Sequence, residues 1–170
     1  MTSAATAFTL AIFKPHLVKN PVAYGAVERL IESSGIRIVT RKQVHLTQPE
    51  AEQFYRDHRG KFFYRRLISL MTSGPLEVLV LSGENVVNRW RELMGPTKVF
   101  KAVYSNPECI RSLYGLTDTR NASHGSDSVA SFLTEAALFF PNQEFPPNNT
   151  TTTTTTDNYE SNGHHHQNTS

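Results

Sequence analysis

The chain has 170 residues, 38% of them hydrophobic, which fits one globular domain with a tail rather than two domains. Its single cysteine, Cys109, excludes an internal disulfide framework and points to a reducing compartment. No stretch approaches the roughly 18 apolar residues of a spanning helix, and Met1 to Phe8 lacks the basic start of a secretory signal.

Phe8-Thr9-Leu10-Ala11-Ile12-Phe13 reads as a short buried strand stopped by Lys14-Pro15, preceded by a short extension over 1–7. A lysine in that place is set to point into a site. Pro21 to Ser34 carries Val22, Ala26, Val27, Leu30 and Ile31 at helical spacing and ends at Gly35. Ile36 to Leu46 alternates weakly as a strand, and Thr47-Gln48-Pro49-Glu50 is a capping box that starts a helix expected to reach His58.

The stretch from Arg56 to Arg66 interleaves Arg56, Arg59, Lys61, Arg65 and Arg66 with Phe62, Phe63 and Tyr64. Such a face can hold nucleic acid or a single nucleotide by phosphate contacts and stacking. A helix with an apolar stripe at Phe63, Leu67, Leu70 and Met71 and a solvated basic side accounts for most of it. Leu76 to Leu81 is the clearest strand, and Asn85 to Met94 the next helix, with Arg91 off its apolar face.

Thr97 to Gly115 is irregular, with one short helical turn expected after Asn106-Pro107 and Arg111 in its wake. Leu116 to Arg120 is expected to form the last strand. Val129, Phe132, Leu133, Ala136, Ala137 and Phe140 then mark the last helix. The order predicts an α+β fold, a ferredoxin-like βαββαβ sandwich whose antiparallel four-stranded sheet is covered by helices.

From Pro141 the composition changes to Pro146-Pro147, paired asparagines, a threonine run from Thr150 to Thr156 and His164-His165-His166. This reads as a disordered low-complexity tail over 141–170, its histidines solvated rather than metal-bound. All 17 basic residues precede it against 12 acidic ones, so the folded part is more basic than the net +2 of the chain.

The chemistry centres on Asn121-Ala122-Ser123-His124-Gly125-Ser126-Asp127-Ser128. Neutral imidazole is a nucleophile near neutral pH, Gly125 admits close backbone approach, and a helix start beside it favours anions. A capped helix with an incidental histidine is the blander reading. Lys14, Arg91 and Arg111 come from three distant segments; converging on one anion, they would stabilise charge in a transferring phosphoryl group. No P-loop or kinase-type glycine loop occurs.

Residues 121–128 match the signature N-x-x-H-G-S-D-[SA], and through it the sequence resembles the nucleoside diphosphate kinase family over 8–140. The segments Leu93 to Thr97 and Tyr104 to Arg120 are most like its divergent nucleoside diphosphate kinase 6 branch. The resemblance implies a kinase that moves the γ-phosphate of a nucleoside triphosphate to a nucleoside diphosphate through a phosphohistidine on His124, with broad base tolerance. Glu135 would fix the tautomer of His124. Arg91, Thr97 and Arg111 would bind phosphates, with Tyr55 near the transferred group. Lys14 and Asn121 would hold the ribose hydroxyls, Phe63 would stack on the base beside Leu67, and Ser126 would cap the helix near the nucleophile.

Mg2+ would bridge substrate phosphates, with few or no protein ligands. A homo-oligomer is implied, with no membrane partner, and nucleic acid is disfavoured because a nucleotide cleft and a solvated helix explain the basic face. The implied compartment is cytoplasmic, with a mitochondrial one left open. Two departures stand out: His16 replaces the aspartate of the family's usual K-P-D, and the segment from Thr97 to Arg111 is longer than in the common enzymes. They admit an alternative, a catalytically weak nucleotide-binding interaction or regulatory protein of the same fold.

Overall fold

Two largely apolar segments set the centre of the molecule, because a strand with apolar side chains pointing both ways must be covered on both faces. In the computed structural model, which describes residues 6–146, these are β1 (Ala7–Phe13) and β3 (Leu76–Gly83), paired antiparallel in the middle of the sheet. β2 (Arg37–Val44) flanks β3, and the three-residue β4 (Ser123–Gly125) flanks β1, both antiparallel. The order β2-β3-β1-β4 is that of a ferredoxin-like α+β fold.

Alternation divides the side chains of the central strands between two cores. Leu10, Ile12, Val78 and Val80 join one cluster with α3 (Gln48–Phe54), α4 (Tyr64–Met71) and α8 (Val129–Phe139). Ala11, Phe13, Leu79 and Leu81 join the other with α2 (Pro21–Ser33) and α5 (Val86–Met94). Helices thus cover both faces. The exposed edge, β2, carries a register irregularity between Ile38 and Thr40 and an alternating, largely solvated pattern that discourages further strand pairing.

Local side-chain signals set several helix boundaries, at Thr47 as the sequence predicts and at Asn20 in addition. Asn20 caps α2 through Ala23 N–H at 3.1 Å, with Pro21 at its first position. The Thr47 box closes with Glu50 Oε2 accepting from Thr47 N at 2.8 Å. The helix that follows is shorter than expected: it stops at Phe54 and passes into a 3-10 turn, Arg56–His58. A one-turn helix, α1 (Pro15–Val18), directly after β1 has no sequence counterpart above.

The fourth strand is a correction. Leu116 to Arg120 forms no strand, with bends over Thr117 to Arg120, and the strand lies three residues later, inside the signature itself. Leu116 N bonds Arg120 O at 2.7 Å, so this segment folds on itself before reaching the sheet. Residues 97–115 hold two helices, α6 (Val99–Ser105) and α7 (Ile110–Tyr114). Their pattern is hard to read because α6 buries Ala102 alone, while Phe100 and Tyr104 are exposed.

At the far end, Phe145 packs edge-on against Phe132, with ring centres 5.3 Å apart. The expected tail lies outside the described residues from 147 onward, as do residues 1–5 of the expected N-terminal extension.

Candidate active site

His124 stands in β4 opposite Ile12 of β1, so a central strand of the sheet fixes its backbone. The pairing continues beyond the strand on both sides. Lys14 N donates to Ala122 O at 2.9 Å, and Ser126 N to Leu10 O at 3.1 Å. Trp90 of α5 donates its indole N–H to His124 O at 3.2 Å. Gly125 is required by packing: a Cβ there would lie 2.6 Å from both Trp90 and Met94. The missing side chain lets β4 close on α5.

The imidazole is held from one side. Glu135 Oε2 on α8 lies 3.2 Å from His124 Nε2, and the same oxygen accepts from Ser126 Oγ at 2.5 Å. Ser126 Oγ accepts in turn from Leu10 N at 3.2 Å. This corrects the capping role: Ser128, not Ser126, caps α8 by accepting from Ser131 N at 3.1 Å. Fully buried Ser126 precedes the cap by two residues, too early to reach the free amides, so its hydroxyl locks the carboxylate instead. Phe54 meets the His124 ring edge-on at 5.1 Å, and Tyr55 does so at 6.4 Å.

A carboxylate on Nε2 selects the tautomer with the proton on that nitrogen, which leaves the Nδ1 lone pair as the reactive one. His124 lines a cleft of about 1300 Å³ together with Lys14, Tyr55, Phe63, Leu67, Arg91, Thr97, Arg111 and Asn121. Nine residues singled out in the sequence therefore meet in one cavity. Ser126 and Glu135 sit behind the histidine rather than on the cleft wall.

Positive charge is concentrated here, and two of its buried carriers lack a carboxylate partner. Lys14, only 5% exposed, donates to Asn121 Oδ1 at 2.6 Å and Thr119 O at 3.1 Å. Burial and the neighbouring Arg111 pull its ammonium down to about 7. Arg111, on α7, donates to Gly95 O at 2.6 Å and Ser123 O at 3.3 Å, and lies 3.5 Å from Thr97 Oγ1; its buried Nε has no partner. Burial first, then Arg91, lowers its guanidinium to about 10. Among the described residues neither cation is paired with a carboxylate, whereas Arg91 is paired with Asp127 at the cleft mouth.

Asn121 links the two walls. Its amide donates to Thr97 O at 3.1 Å while its oxygen receives Lys14. The buried Tyr55 hydroxyl has no hydrogen-bond partner, and burial, with Glu135 nearby, raises its phenol. Phe63 is half-buried and Leu67 buried, so α4 presents an apolar shelf to the cleft.

Two features of the site escape a reading of the sequence, one on the cleft wall and one behind it. His58 stacks on Tyr55 at 5.9 Å and meets Phe63 edge-on at 5.6 Å, but no local pattern marks it. His16 appears there only as a departure; its Nε2 accepts from Ala122 N at 3.1 Å.

A ferredoxin-like domain that surrounds a carboxylate-held histidine with buried cations lacking carboxylate partners offers an anion a place beside that histidine. Residues 7–145 match the family described as nucleoside diphosphate kinase, and the chain belongs to that family. It is 47% identical over 133 residues to nucleoside diphosphate kinase 6 of Xenopus tropicalis, covering 78% of this chain and 74% of the relative. Against nucleoside diphosphate kinase 6 of Homo sapiens it is 44% identical over 138 residues, covering 81% and 74%.

Among solved structures, the Aquifex aeolicus nucleoside diphosphate kinase superposes with a TM-score of 0.74 at 34% identity, covering 80% of this chain and 96% of that one. The halophilic nucleoside diphosphate kinase of Halobacterium salinarum, in complex with CDP, gives 0.72 at 31% identity, with 78% and 86% covered. The recognised family and the ferredoxin-like architecture are thus both established. No helix among the described residues is long and apolar enough to cross a membrane.

Proposed function

We propose that this protein transfers the γ-phosphate of a nucleoside triphosphate to a nucleoside diphosphate in a ping-pong cycle through His124. The observation that carries this reading is the pairing of His124 Nε2 with Glu135, in a cleft whose buried Lys14 and Arg111 lack carboxylate partners. The Nδ1 lone pair attacks the γ-phosphorus; an N–P bond forms, the bond to the β–γ bridging oxygen breaks, and the diphosphate departs. A β-phosphate oxygen of the second nucleotide then attacks the same phosphorus and returns the ring nitrogen to its free state.

Glu135 supports charge that develops on the ring during attack, and Ser126 holds that carboxylate in place. Arg91, Arg111 and Thr97 bind the phosphates and neutralise the equatorial oxygens. Arg91 reaches them by exchanging Asp127 for phosphate. Lys14 and Asn121 hold the ribose hydroxyls, so the sugar sits at the inner end of the cleft. Phe63 stacks on the base with Leu67 beside it; stacking uses the π-face common to all bases, which gives broad tolerance.

Mg2+ enters as part of the nucleotide substrate, and its chemistry is to neutralise phosphate oxygens in the transferring group. Asp118 and Asp127 line the cleft, but Asp118 accepts from Val99 N at 3.1 Å and Asp127 is paired with Arg91. That donor set suits an ion held chiefly by the substrate.

The test is incubation with γ-labelled ATP and Mg2+. Acid-labile, base-stable label is expected on the wild type and absent from His124→Ala. Folded wild-type protein that takes no label, or label that survives the substitution, would refute the phosphohistidine route.

A further inference from the structure

The turn that delivers His124 to the cleft is strained and is clamped from one segment. Ala122 is fully buried and adopts φ 71°, a left-handed conformation that a residue with a Cβ rarely takes. It stands between Asn121 and the strand that carries His124. Residues 14–16 grip both of its backbone polar groups: Lys14 N donates to Ala122 O at 2.9 Å, and His16 Nε2 accepts from Ala122 N at 3.1 Å. The His16 bond is the link that chain geometry does not supply, since a buried N–H at a left-handed residue would otherwise lack an acceptor.

An imidazole accepts at Nε2 only when that nitrogen carries no proton, so His16 must be the neutral tautomer with its proton on Nδ1. The surroundings enforce this. Lys14 and Arg120 are the charged groups that face the ring, and both are cationic. Burial first, then those two charges, hold the imidazole down at about 4, against a raising contribution from the Arg120 backbone. An aspartate in the same place could accept from Ala122 but would add a negative charge beside Lys14. Arg111 is the charged neighbour on the other side of Lys14.

We propose that His16 is a positioning residue for the transfer: as a neutral acceptor it holds the left-handed Ala122 turn that aims Asn121 and His124, and it leaves the charge of Lys14 uncompensated until nucleotide binds. This rests on the phosphohistidine reading. While Lys14 holds the ribose, the phosphates bound by Arg91 and Arg111 in the same cleft, rather than a protein carboxylate, then supply the counter-charge in its field. Affinity for ADP falls as pH rises through the range in which free Lys14 loses its proton.

Four measurements test it. In His16→Ala, single-turnover labelling of His124 by γ-labelled ATP slows about tenfold or more, as a misaimed nucleophile should. In His16→Gln, whose Oε1 can replace Nε2 as acceptor, most of the rate returns. In His16→Asp, the loss of ADP affinity moves to higher pH, because the carboxylate keeps Lys14 charged. Ring-nitrogen NMR shifts of the wild type report the Nδ1–H tautomer of His16 at neutral pH.

Wild-type labelling rates in His16→Ala, no recovery in His16→Gln, an unmoved ADP profile in His16→Asp, or an Nε2–H ring each overturn the proposal. Where His16→Ala fails to fold, the glutamine variant and the wild-type spectrum still decide. Unlabelled wild-type His124 is a separate result: it refutes the transfer reading itself, together with the role assigned to His16 in it.

Discussion

Replacing Lys14 by methionine tests whether the cleft stores uncompensated charge, because methionine keeps the length and apolar stem and removes only the ammonium. An unfolded lysine titrates at 10.5, and Lys14 in the fold at about 7. At about 1.36 kcal/mol per decade, holding the buried charge costs on the order of 4 to 5 kcal/mol at neutral pH and below. The sign follows from proton counting: between about pH 7 and 10.5 the unfolded chain binds more protons, so the penalty shrinks as pH rises and vanishes above the unfolded value. Against this stand the hydrogen bonds to Asn121 Oδ1 and Thr119 O, whose loss costs about 1 to 3 kcal/mol.

Lys14→Met is therefore expected to be more stable than wild type by about 2 kcal/mol at pH 6.5, a rise of roughly 4 to 8 °C in Tm for a domain of this size. At pH 10 the order reverses, since the penalty is nearly gone and the lost hydrogen bonds remain. Thermal unfolding of both proteins across that range, without nucleotide, is the assay. A Tm difference that is the same at both pH values would refute the argument, because it would mean that the ammonium keeps its water in the fold.

Three further predictions follow from the site. Glu135→Gln removes the charge from the partner of His124 and is expected to slow phosphorylation about 10- to 100-fold, from the roughly 1.5 to 3 kcal/mol of a charge-assisted hydrogen bond; unchanged single-turnover rates would count against it. Phe63→Ala is expected to raise KM for ATP, GTP and CTP alike, by the roughly 1 to 3 kcal/mol of one stacked base, and a base-selective effect would show that the ring reads an edge. Gly125→Ala forces a methyl to 2.6 Å from Trp90 and Met94, and is expected to destabilise by about 1 to 3 kcal/mol in denaturant unfolding; an unchanged midpoint would show that α5 yields freely.

The exposed surface of α6 and α7 illustrates why one part of the fold escapes sequence reading. Helical periodicity is visible only where one face meets a core. Phe100, Tyr104, Leu113 and Leu116 are all exposed, so the apolar residues of this region obey no burial rule within the single chain. Arg111 reverses the usual pattern in the same segment: it is buried with its guanidinium on backbone carbonyls, and no periodicity argument selects an arginine for the inside of a helix.

Residue types and their order were enough to determine the central strands, whose apolar runs allow no solvated face, and the cap at Thr47, which depends on neighbours within one turn. The signature from Asn121 to Ser128 likewise singles out His124, and its resemblance brings in the partners expected around it. Tertiary structure alone decided where that signature sits. A three-residue strand has too few side chains to show alternation, and β4 exists because β1 offers it an edge. Tertiary structure also assigned Ser126 to Glu135 instead of to a helix end, Gly125 to Trp90, and His16 to a turn 106 residues away. The contacts of Gly125 and His16 join segments that are remote in the chain, and that of Ser126 spans a strand end and two turns of helix, so no local rule of spacing or propensity reaches them.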